Sequence, residues 1–192
     1  MRSTPPKSYP EGLTDDEFFV VCESHPGWRF ERDVTGKVTV MSPVGANSSN
    51  KNFTLTVLFG NWLHEHPELG YAFDSSAGFT LPDGSIRSPD LSWIKKERWE
   101  VLTPEERNKF APVCPDFVVE LRSASDVLKT LQTKMTEWIN NGCQLGWLID
   151  PLEQKVFIYQ PGKPPEEFSG FHHKLSGGAL LPEFELDLLK LK

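Results

Sequence analysis

Two apolar strands separated by one amphipathic helix constrain the fold of this chain more than any other feature. The stretch PDFVVELRS, residues 115–123, predicts a strand covered on both faces, and LGWLID, residues 145–150, predicts a second. The helix between them is predicted to begin near Ser125 or Asp126 and to end at Gly142, with its apolar residues at helical spacing. A strand, a helix and a strand in this order predict a right-handed parallel crossover.

The rest of the chain predicts the layers around that crossover. Thr14 and Glu17 form a capping box for a first helix, and WRFERD and KVTVMS predict a β-hairpin that turns at Gly36. A second helix is predicted from about Asn50, and YAFD, GFTL and IRSPDLSWI are predicted strands. LTPEERNKF is a capped helical insertion before PDFVVELRS. The order predicts an α/β fold with a mixed central β-sheet flanked by helices.

Length and composition describe a globular protein. At 192 residues with no linker-like stretch, the chain is predicted to have a loose N-terminal tail over residues 1–12 and one domain over residues 13–192. Apolar residues make up 38% and charged residues 24%, which argues against a disordered chain. The polar start of the chain lacks a signal-peptide core, and no apolar run reaches the ~20 residues of a membrane span.

The three cysteines bear on the compartment and on metal chemistry. Cys22, Cys114 and Cys143 are an odd number without C-x-x-C spacing, so they indicate neither a disulfide framework nor a zinc site. The expected location is therefore a reducing cytoplasm, with no membrane partner.

Glu120 lies in the middle of the apolar strand PDFVVELRS. An isolated buried carboxylate costs several kcal/mol or more unless it is paired, protonated or bound to a metal. Arg122 lies two residues on, ~6.6 Å along the same strand face, so both side chains can reach one phosphate. An ordinary ion pair between Glu120 and Arg122 is the alternative interpretation.

Asp90 and Lys134 also carry charge in apolar surroundings, which favours a functional site over a simple ion pair. Asp90 follows Pro89 in IRSPDLSWI. If that strand pairs with PDFVVELRS, Asp90 and Glu120 converge and can hold a hard divalent cation through carboxylate oxygens. Lys134 lies at the edge of the apolar stripe of its helix, where its ammonium group can meet Glu120 or a bound phosphate.

Other polar residues are given structural interpretations. Glu31 is interpreted as a solvated hairpin residue, with a place at the edge of the cleft as the alternative. Asp116 is interpreted as a strand-start or turn residue rather than a ligand, and Asp150 as a turn residue at a strand end. The histidines in HEH, residues 64–66, and HH, residues 172–173, have no matching partner cluster, so zinc binding is not indicated.

The chain resembles the PD-(D/E)XK, or restriction-endonuclease-like, nuclease superfamily, and in particular its Uma-two family of restriction endonucleases. The similarity covers most of the chain through MSPVG, GFTLPDGSIRSPDLSWIKKERWE, CPDFVVELRSASD, LKTLQTKMTEWINNG and LGWLIDP. It implies a core of helix, three strands, helix and strand, in which Asp90 and Glu120 bind the metal. The superfamily's lysine two residues after the acid is Arg122 here, and the resemblance implies that Lys134 takes its spatial place.

The predicted function is a metal-dependent endonuclease that hydrolyses phosphodiester bonds, with DNA implied chiefly by the resemblance. Asp90 and Glu120 are expected to hold Mg²⁺ or Mn²⁺, Lys134 to orient or help deprotonate a water, and Arg122 to stabilise transition-state charge. The alternative is a catalytically inactive nuclease-fold module that binds nucleic acid or protein. The net charge of −7 argues against coating nucleic acid by charge alone but leaves room for a local basic site.

A homodimer is the expected assembly. Cutting both strands of a duplex requires two sites or a repositioning of one, and twofold assembly is the commonest oligomeric solution.

Overall fold

A computed structural model describes residues 9–10, 12–41 and 43–192, so most of the predicted tail lies outside the described residues. The helices in these ranges are α1 (Asp15–Glu23), α2 (Ala46–Glu65), α3 (Lys96–Glu100), α4 (Pro104–Arg107) and α5 (Leu128–Asn140). The strands are β1 (Arg29–Arg32), β2 (Val38–Met41), β3 (Gly70–Asp74), β4 (Phe79–Thr80), β5 (Ile86–Arg87), β6 (Leu91–Lys95), β7 (Phe117–Leu121), β8 (Leu145–Asp150), β9 (Lys155–Tyr159), β10 (Glu166–Ser169), β11 (Lys174–Ser176) and β12 (Glu185–Asp187), and a 3-10 turn follows at Leu188–Leu191.

A mixed six-stranded sheet in the order β10-β9-β8-β7-β6-β3 forms the centre of the fold. Strands β7 and β8 pair in parallel and are joined through α5, which confirms the predicted crossover. Strand β6 pairs antiparallel with β7, so that Leu91 lies opposite Val119. The predicted core order of helix, three strands, helix and strand is present as α2, β3, β6, β7, α5 and β8.

The two faces of the central sheet are packed by different helices. Strand β7 is buried along its whole length because its alternating side chains enter two separate clusters. One cluster lies on the α2 side and includes Phe59, Trp62, Phe117, Val119 and Trp147. The other lies on the α5 side and includes Met135, Trp138, Val118 and Leu148. By the same alternation, Glu120 projects towards α5.

The predicted N-terminal hairpin is present and belongs to a second sheet, in the order β2-β1-β5-β4. Gly36 has φ +85°, a conformation that favours glycine, and it closes the turn between β1 and β2. Strand β1 also pairs with β5 through Arg32 and Ile86. Because β5 lies just before β6 in the chain, this pairing carries β1 close to the start of β6.

The prediction of a single strand over IRSPDLSWI is wrong, since the structure contains two strands, β5 and β6, in different sheets. Pro89 has no N–H to donate to a neighbouring strand, and the β-structure is interrupted between Arg87 and Leu91. Asp90 then donates its N–H to the Val119 carbonyl at 3.1 Å and accepts the Leu121 N–H at its own Oδ2 at 2.9 Å. These two hydrogen bonds hold Asp90 in place immediately before β6.

Two helices begin at different residues from those predicted. Helix α2 begins at Ala46 rather than near Asn50. Its first turn is mainly polar, so the spacing of apolar residues did not reveal that start. Helix α5 begins at Leu128 rather than at Ser125 or Asp126. The Asp126 carboxylate accepts the N–H and hydroxyl of Ser123 at 2.7 and 2.6 Å, so it closes a turn ahead of the helix.

Candidate active site

Glu120 is buried, with 3% of its surface exposed, and its environment explains why the strand contains a carboxylate. Its Oε1 accepts hydrogen bonds from Trp138 Nε1 at 3.1 Å and from Lys134 Nζ at 2.7 Å. Lys134 and Trp138 lie one turn apart on α5, on the face that packs against β7. The predicted approach of Lys134 to Glu120 is confirmed.

The Lys134 ammonium group has three acceptors within hydrogen-bonding distance. Besides Glu120, Nζ lies 2.7 Å from Glu31 Oε1 and donates to the Ser88 carbonyl at 3.0 Å. An ammonium group has three N–H donors, so these partners satisfy all of them. Lys134 is thereby fixed between the central sheet and the second sheet.

The interpretation of Glu31 as a solvated hairpin residue is wrong. Glu31 is only 5% exposed and lies between two cations, with Arg87 Nη1 at 3.1 Å and Lys134 at 2.7 Å, while the Ser88 N–H donates to it at 3.1 Å. Arg87 in turn contacts Glu137 of α5 at 2.6 Å. A charged residue in a short hairpin gives no local signal of burial, because the groups that cover it come from β5 and α5.

Asp90 lies beside Glu120 at the junction of β6 and β7. Continuing the pairing of Leu91 with Val119 by one residue puts Asp90 opposite Glu120. Asp90 Oδ2 accepts the Leu121 N–H, whereas Oδ1 has two long contacts, 3.4 Å to Arg29 Nη1 and 3.4 Å to Asn52 Nδ2. The predicted pairing of the two strands is confirmed, and it brings both carboxylates to one place.

Both acids line one cleft of about 530 Å³ between the two sheets, α2 and α5. Strand β1, the first half of α2, the end of β7 and the loop after it form the walls. The polar residues that matter for the chemistry are Arg29, Asn52, Asp90, Glu120, Asp126 and Lys134. The cleft therefore presents both signs of charge on neighbouring walls.

The Arg122 side chain lies outside this cleft. Its Nη1 lies 2.6 Å from Oδ2 of Asp150, which is fully buried at the end of β8. Asp150 also accepts the N–H groups of Leu152 and Glu153 at 3.0 and 3.2 Å, which agrees with its predicted role in a turn. Arg122 does not line the cleft and makes no ion pair with Glu120 among the described residues. The structure therefore does not bring it to the other predicted site residues.

Asp116 is a structural residue, as predicted from its position at the start of the strand. It precedes β7, accepts the Lys95 N–H at 3.0 Å and pairs with Arg98 Nη1 at 2.8 Å. These contacts tie β6 and α3 to the start of β7, at the end opposite to Glu120.

The two buried glutamates differ in how much positive charge surrounds them. Burial raises the pKa of Glu120 to about 7, Asp90 and Glu31 add to that rise, and the Lys134 ammonium group opposes it. Burial also disfavours ionised Glu31, but Lys134 and Arg87 outweigh this effect and lower its pKa. Burial alone would lower the pKa of Lys134, but Glu120 and Glu31 together raise it well above its ordinary value. Glu120 is thus the carboxylate that is short of positive charge.

Comparisons with known proteins agree with this fold. A family model, Uma2, described as "Putative restriction endonuclease", matches residues 15–189. This chain belongs to the Uma2 family. A solved structure described as a "putative nuclease belonging to DUF820", from Anabaena variabilis ATCC 29413, is similar with a TM-score of 0.75 and 25% sequence identity, over 93% of this chain and 97% of that one. No curated protein matches the sequence.

The Uma2 family and this nuclease neighbour support a nuclease fold and a nuclease activity for the chain. In the described ranges, no helix is both long and apolar enough to cross a membrane.

The acids of this Uma2 protein suit a cation that requires few protein ligands. Across the described residues, no group of three or more His, Cys, Asp or Glu side chains is arranged to hold a metal. Magnesium usually keeps several waters and takes one or two protein carboxylates together with substrate phosphates. Glu120 Oε2 receives no hydrogen bond from any described residue, and Asp90 Oδ1 has only long contacts. These two oxygens fit Mg²⁺ or Mn²⁺.

Proposed function

We propose that this protein is a metal-dependent endonuclease that hydrolyses phosphodiester bonds in DNA. The observation that carries the proposal is the juxtaposition of Asp90 and Glu120 in one cleft, with the ammonium group of Lys134 fixed beside them. Asp90 and Glu120 would hold Mg²⁺ or Mn²⁺. The bound cation would polarise the scissile phosphate and lower the pKa of water.

Lys134 acts in this proposal through its positive charge and not as a general base. Its pKa is raised by two carboxylates, so it remains an ammonium group at neutral pH and accepts no proton. Because its three N–H groups already have protein acceptors, its part in this proposal is electrostatic. The fixed positive charge beside the acids would stabilise the negative charge that develops on the phosphate oxygens. Glu31 is the positioning residue in this proposal, because its carboxylate is the second one in contact with Lys134 Nζ, at 2.7 Å. The role at the phosphate predicted for Arg122 stays a prediction and is not part of this proposal, because its guanidinium group contacts Asp150 and does not line the cleft.

The choice of DNA rests on the description of the family, together with the cationic groups Arg29 and Lys134 in the cleft. The direct test is cleavage of supercoiled plasmid and of labelled DNA and RNA oligonucleotides with Mg²⁺, with Mn²⁺ and with a chelator. The wild type should cleave DNA with either cation and lose activity in the chelator. Asp90→Asn and Glu120→Gln should each abolish cleavage. Cleavage of RNA alone would contradict the choice of substrate.

Metal dependence has an independent test in thermal unfolding. A cation that binds the folded state stabilises it by mass action, so millimolar Mg²⁺ or Mn²⁺ should raise the melting temperature of the wild type. The double variant Asp90→Asn/Glu120→Gln should fold and lose this response, because amides bind hard cations poorly. A melting temperature that neither cation changes would contradict the metal site.

One observation favours the alternative of a catalytically inactive module that binds nucleic acid or protein. All three Lys134 N–H groups are already taken by protein acceptors, so none is free for a water or a phosphate. If the alternative is right, the protein binds DNA but does not cleave it in any divalent cation, and metal leaves its melting temperature unchanged.

The active form in this proposal is a homodimer, since each strand of a duplex needs its own cut. Multi-angle light scattering at micromolar concentration should give twice the 21.8 kDa mass of the chain. A monomer that still cuts both strands of a duplex would contradict this part of the proposal.

A further inference from the structure

We propose that Arg29 is the cation that binds a phosphodiester group of the substrate in this cleft, an inference that rests on the proposed nuclease function. Arg29 begins β1, two residues before Glu31, so both side chains project from the same face of the strand. Glu31 reaches Lys134 and Arg29 reaches Asp90. Strand β1 thus supplies the cleft with one positioning carboxylate and one guanidinium group.

The guanidinium group of Arg29 is held loosely. Nη1 lies 3.4 Å from Asp90 Oδ1 and Nη2 donates to the Ser88 carbonyl at 3.3 Å, both longer than the 2.7–2.9 Å of a strong charge-assisted hydrogen bond. Nε is buried and has no hydrogen-bond partner among the described residues. The side chain lines the cleft and is 32% exposed. Two of the five N–H donors of Arg29 make these long contacts, and a third, on Nε, is buried. The two remaining donors, one on each Nη, have no partner among the described residues and are the ones offered to a ligand.

Arg87 and Arg122 also form ion pairs in this part of the molecule, but neither lines the cleft. The buried Nε of Arg87 also lacks a hydrogen-bond partner among the described residues, so the unpartnered Nε alone does not set Arg29 apart. Arg87 is 11% exposed and bridges Glu31 and Glu137, at 3.1 and 2.6 Å. Arg122 contacts buried Asp150 at 2.6 Å and does not line the cleft. Of these three guanidinium groups, that of Arg29 alone opens into the space that both acids face.

The chemistry of the ligand follows from this placement. A guanidinium group binds two oxygens of a phosphate through parallel N–H donors, which a lysine ammonium group cannot do. The Asp90 carboxylate keeps Arg29 at the edge of the acid pair without saturating it. A phosphodiester placed against Arg29 therefore lies next to Asp90 and Glu120, the groups assigned to the metal.

The test measures DNA binding rather than cleavage, with a fluorescein-labelled duplex and the matching single strand, in chelator, over about 50–200 mM KCl. Each phosphate contact contributes about 0.9 to the slope of log K against log salt for a duplex, and about 0.7 for a single strand. Arg29→Ala should reduce the slope by one such contact and weaken binding about 10- to 100-fold. Arg29→Lys should restore the slope but only part of the affinity.

Arg122→Ala is the matched control, since it removes the same side chain from another ion pair with an aspartate near the same site. It should keep the wild-type slope. The Mn²⁺-dependent rise in melting temperature should persist in Arg29→Ala, which shows that the fold and the metal site survive.

Four outcomes would overturn the assignment of Arg29. A wild-type slope in Arg29→Ala, or a reduced slope in Arg122→Ala only, would remove Arg29 while leaving the nuclease proposal in place. Loss of the Mn²⁺ response in Arg29→Ala would mean that Arg29 serves to position Asp90. A wild type that fails to bind either DNA would overturn the assignment together with the choice of DNA as substrate.

Discussion

Two groups of buried acids and cations lie at the same ends of the parallel strands β7 and β8, and they differ in what they leave available. Glu120, near the end of β7, shares the ammonium group of Lys134 with Glu31 and faces a cleft. Asp150, at the end of β8, forms an ion pair with Arg122 and also accepts hydrogen bonds from two backbone N–H groups of the turn. The negative charge of the Glu120 group is only partly neutralised and the group lines a cleft. The charge of Asp150 is neutralised by its own partners, and Asp150 is fully buried.

The difference comes from where the partners originate. The Asp150 group is built from residues that follow the ends of two adjacent strands, so local geometry alone can satisfy it. The Glu120 group needs side chains from β1, α5 and β7, which are far apart in the sequence. Buried charges assembled at such a distance favour a functional explanation.

The largest expected effect on stability comes from removing the shared cation. Lys134→Met keeps most of the side-chain volume but leaves two buried carboxylates without the ammonium group between them. Breaking a buried ion pair in this way typically costs about 3–5 kcal/mol. We expect a loss of that size in the free energy of unfolding, measured by urea denaturation in chelator.

The double variant Lys134→Met/Glu31→Gln checks the cause of that loss. Its free energy of unfolding should be higher than that of Lys134→Met, because one of the two buried carboxylates left without a cation has been removed. If Lys134→Met were as stable as the wild type, the carboxylates would not depend on Lys134 and the two groups would not differ as described.

The next largest effect is on catalysis. Lys134→Ala should lower the rate of DNA cleavage about 10²- to 10³-fold with Mn²⁺ saturating, after correction for the folded fraction, since it removes a preorganised electrostatic donor. Lys134→Arg should lose nearly as much, because guanidinium is larger and does not fit between Glu31 and Glu120 at the same distances. Arg122→Ala, with its side chain outside the cleft, should stay within about tenfold of the wild type. Equal losses in Lys134→Ala and Arg122→Ala would remove the distinction between the two groups.

Local patterns predicted the central part of the site. Strand β7, helix α5 and strand β8 follow from apolar runs and helical spacing, and Lys134 follows from its place beside the apolar stripe. Asp90 and Glu120 were recognisable as carboxylates in apolar strands. Their meeting depended on one pairing, of β6 with β7, between neighbours in the strand order.

The rest of the site depends on long-range packing. Glu31 and Arg29 are charged residues in a hairpin. Nothing nearby in the sequence shows that residues of β5 and α5 cover Glu31, or that Arg29 reaches Asp90. Strand alternation predicted that Arg122 faces the same way as Glu120. Strand β7 ends at Leu121, however, and the buried Asp150 provides Arg122 with a partner that alternation cannot predict.

Removing Arg122 is expected to have a smaller effect than removing Lys134. Asp150 keeps two N–H donors from the turn when Arg122 is replaced by methionine, so its charge is not left alone. The loss should be about 1.5–3 kcal/mol, the range for one hydrogen bond to a charged group. The rise of the melting temperature with Mn²⁺ should equal that of the wild type. A changed response to Mn²⁺ would mean that the Asp150 group is coupled to the cleft.

The smallest expected effect is a dependence of stability on pH that Glu31 carries. Lys134 and Arg87 lower the pKa of Glu31 below its ordinary value of 4.5, despite burial. The unfolded state therefore binds a proton at Glu31 more readily than the folded state does. By linkage, the stabilisation is fully present above about pH 5 and is lost as the pH falls through the folded pKa, with a slope of at most about 1.4 kcal/mol per pH unit. Glu31 also contributes to the raised pKa of Glu120, so both proteins in this comparison carry Glu120→Gln. In chelator, the free energy of unfolding of the protein with Glu31 minus that of the protein with Glu31→Gln should then be constant from pH 7 to about pH 5 and should decrease below it. A difference that stays constant down to pH 3 would show that Glu31 is not held as an anion by these two cations, and the contrast with Glu120 would then lack its electrostatic basis.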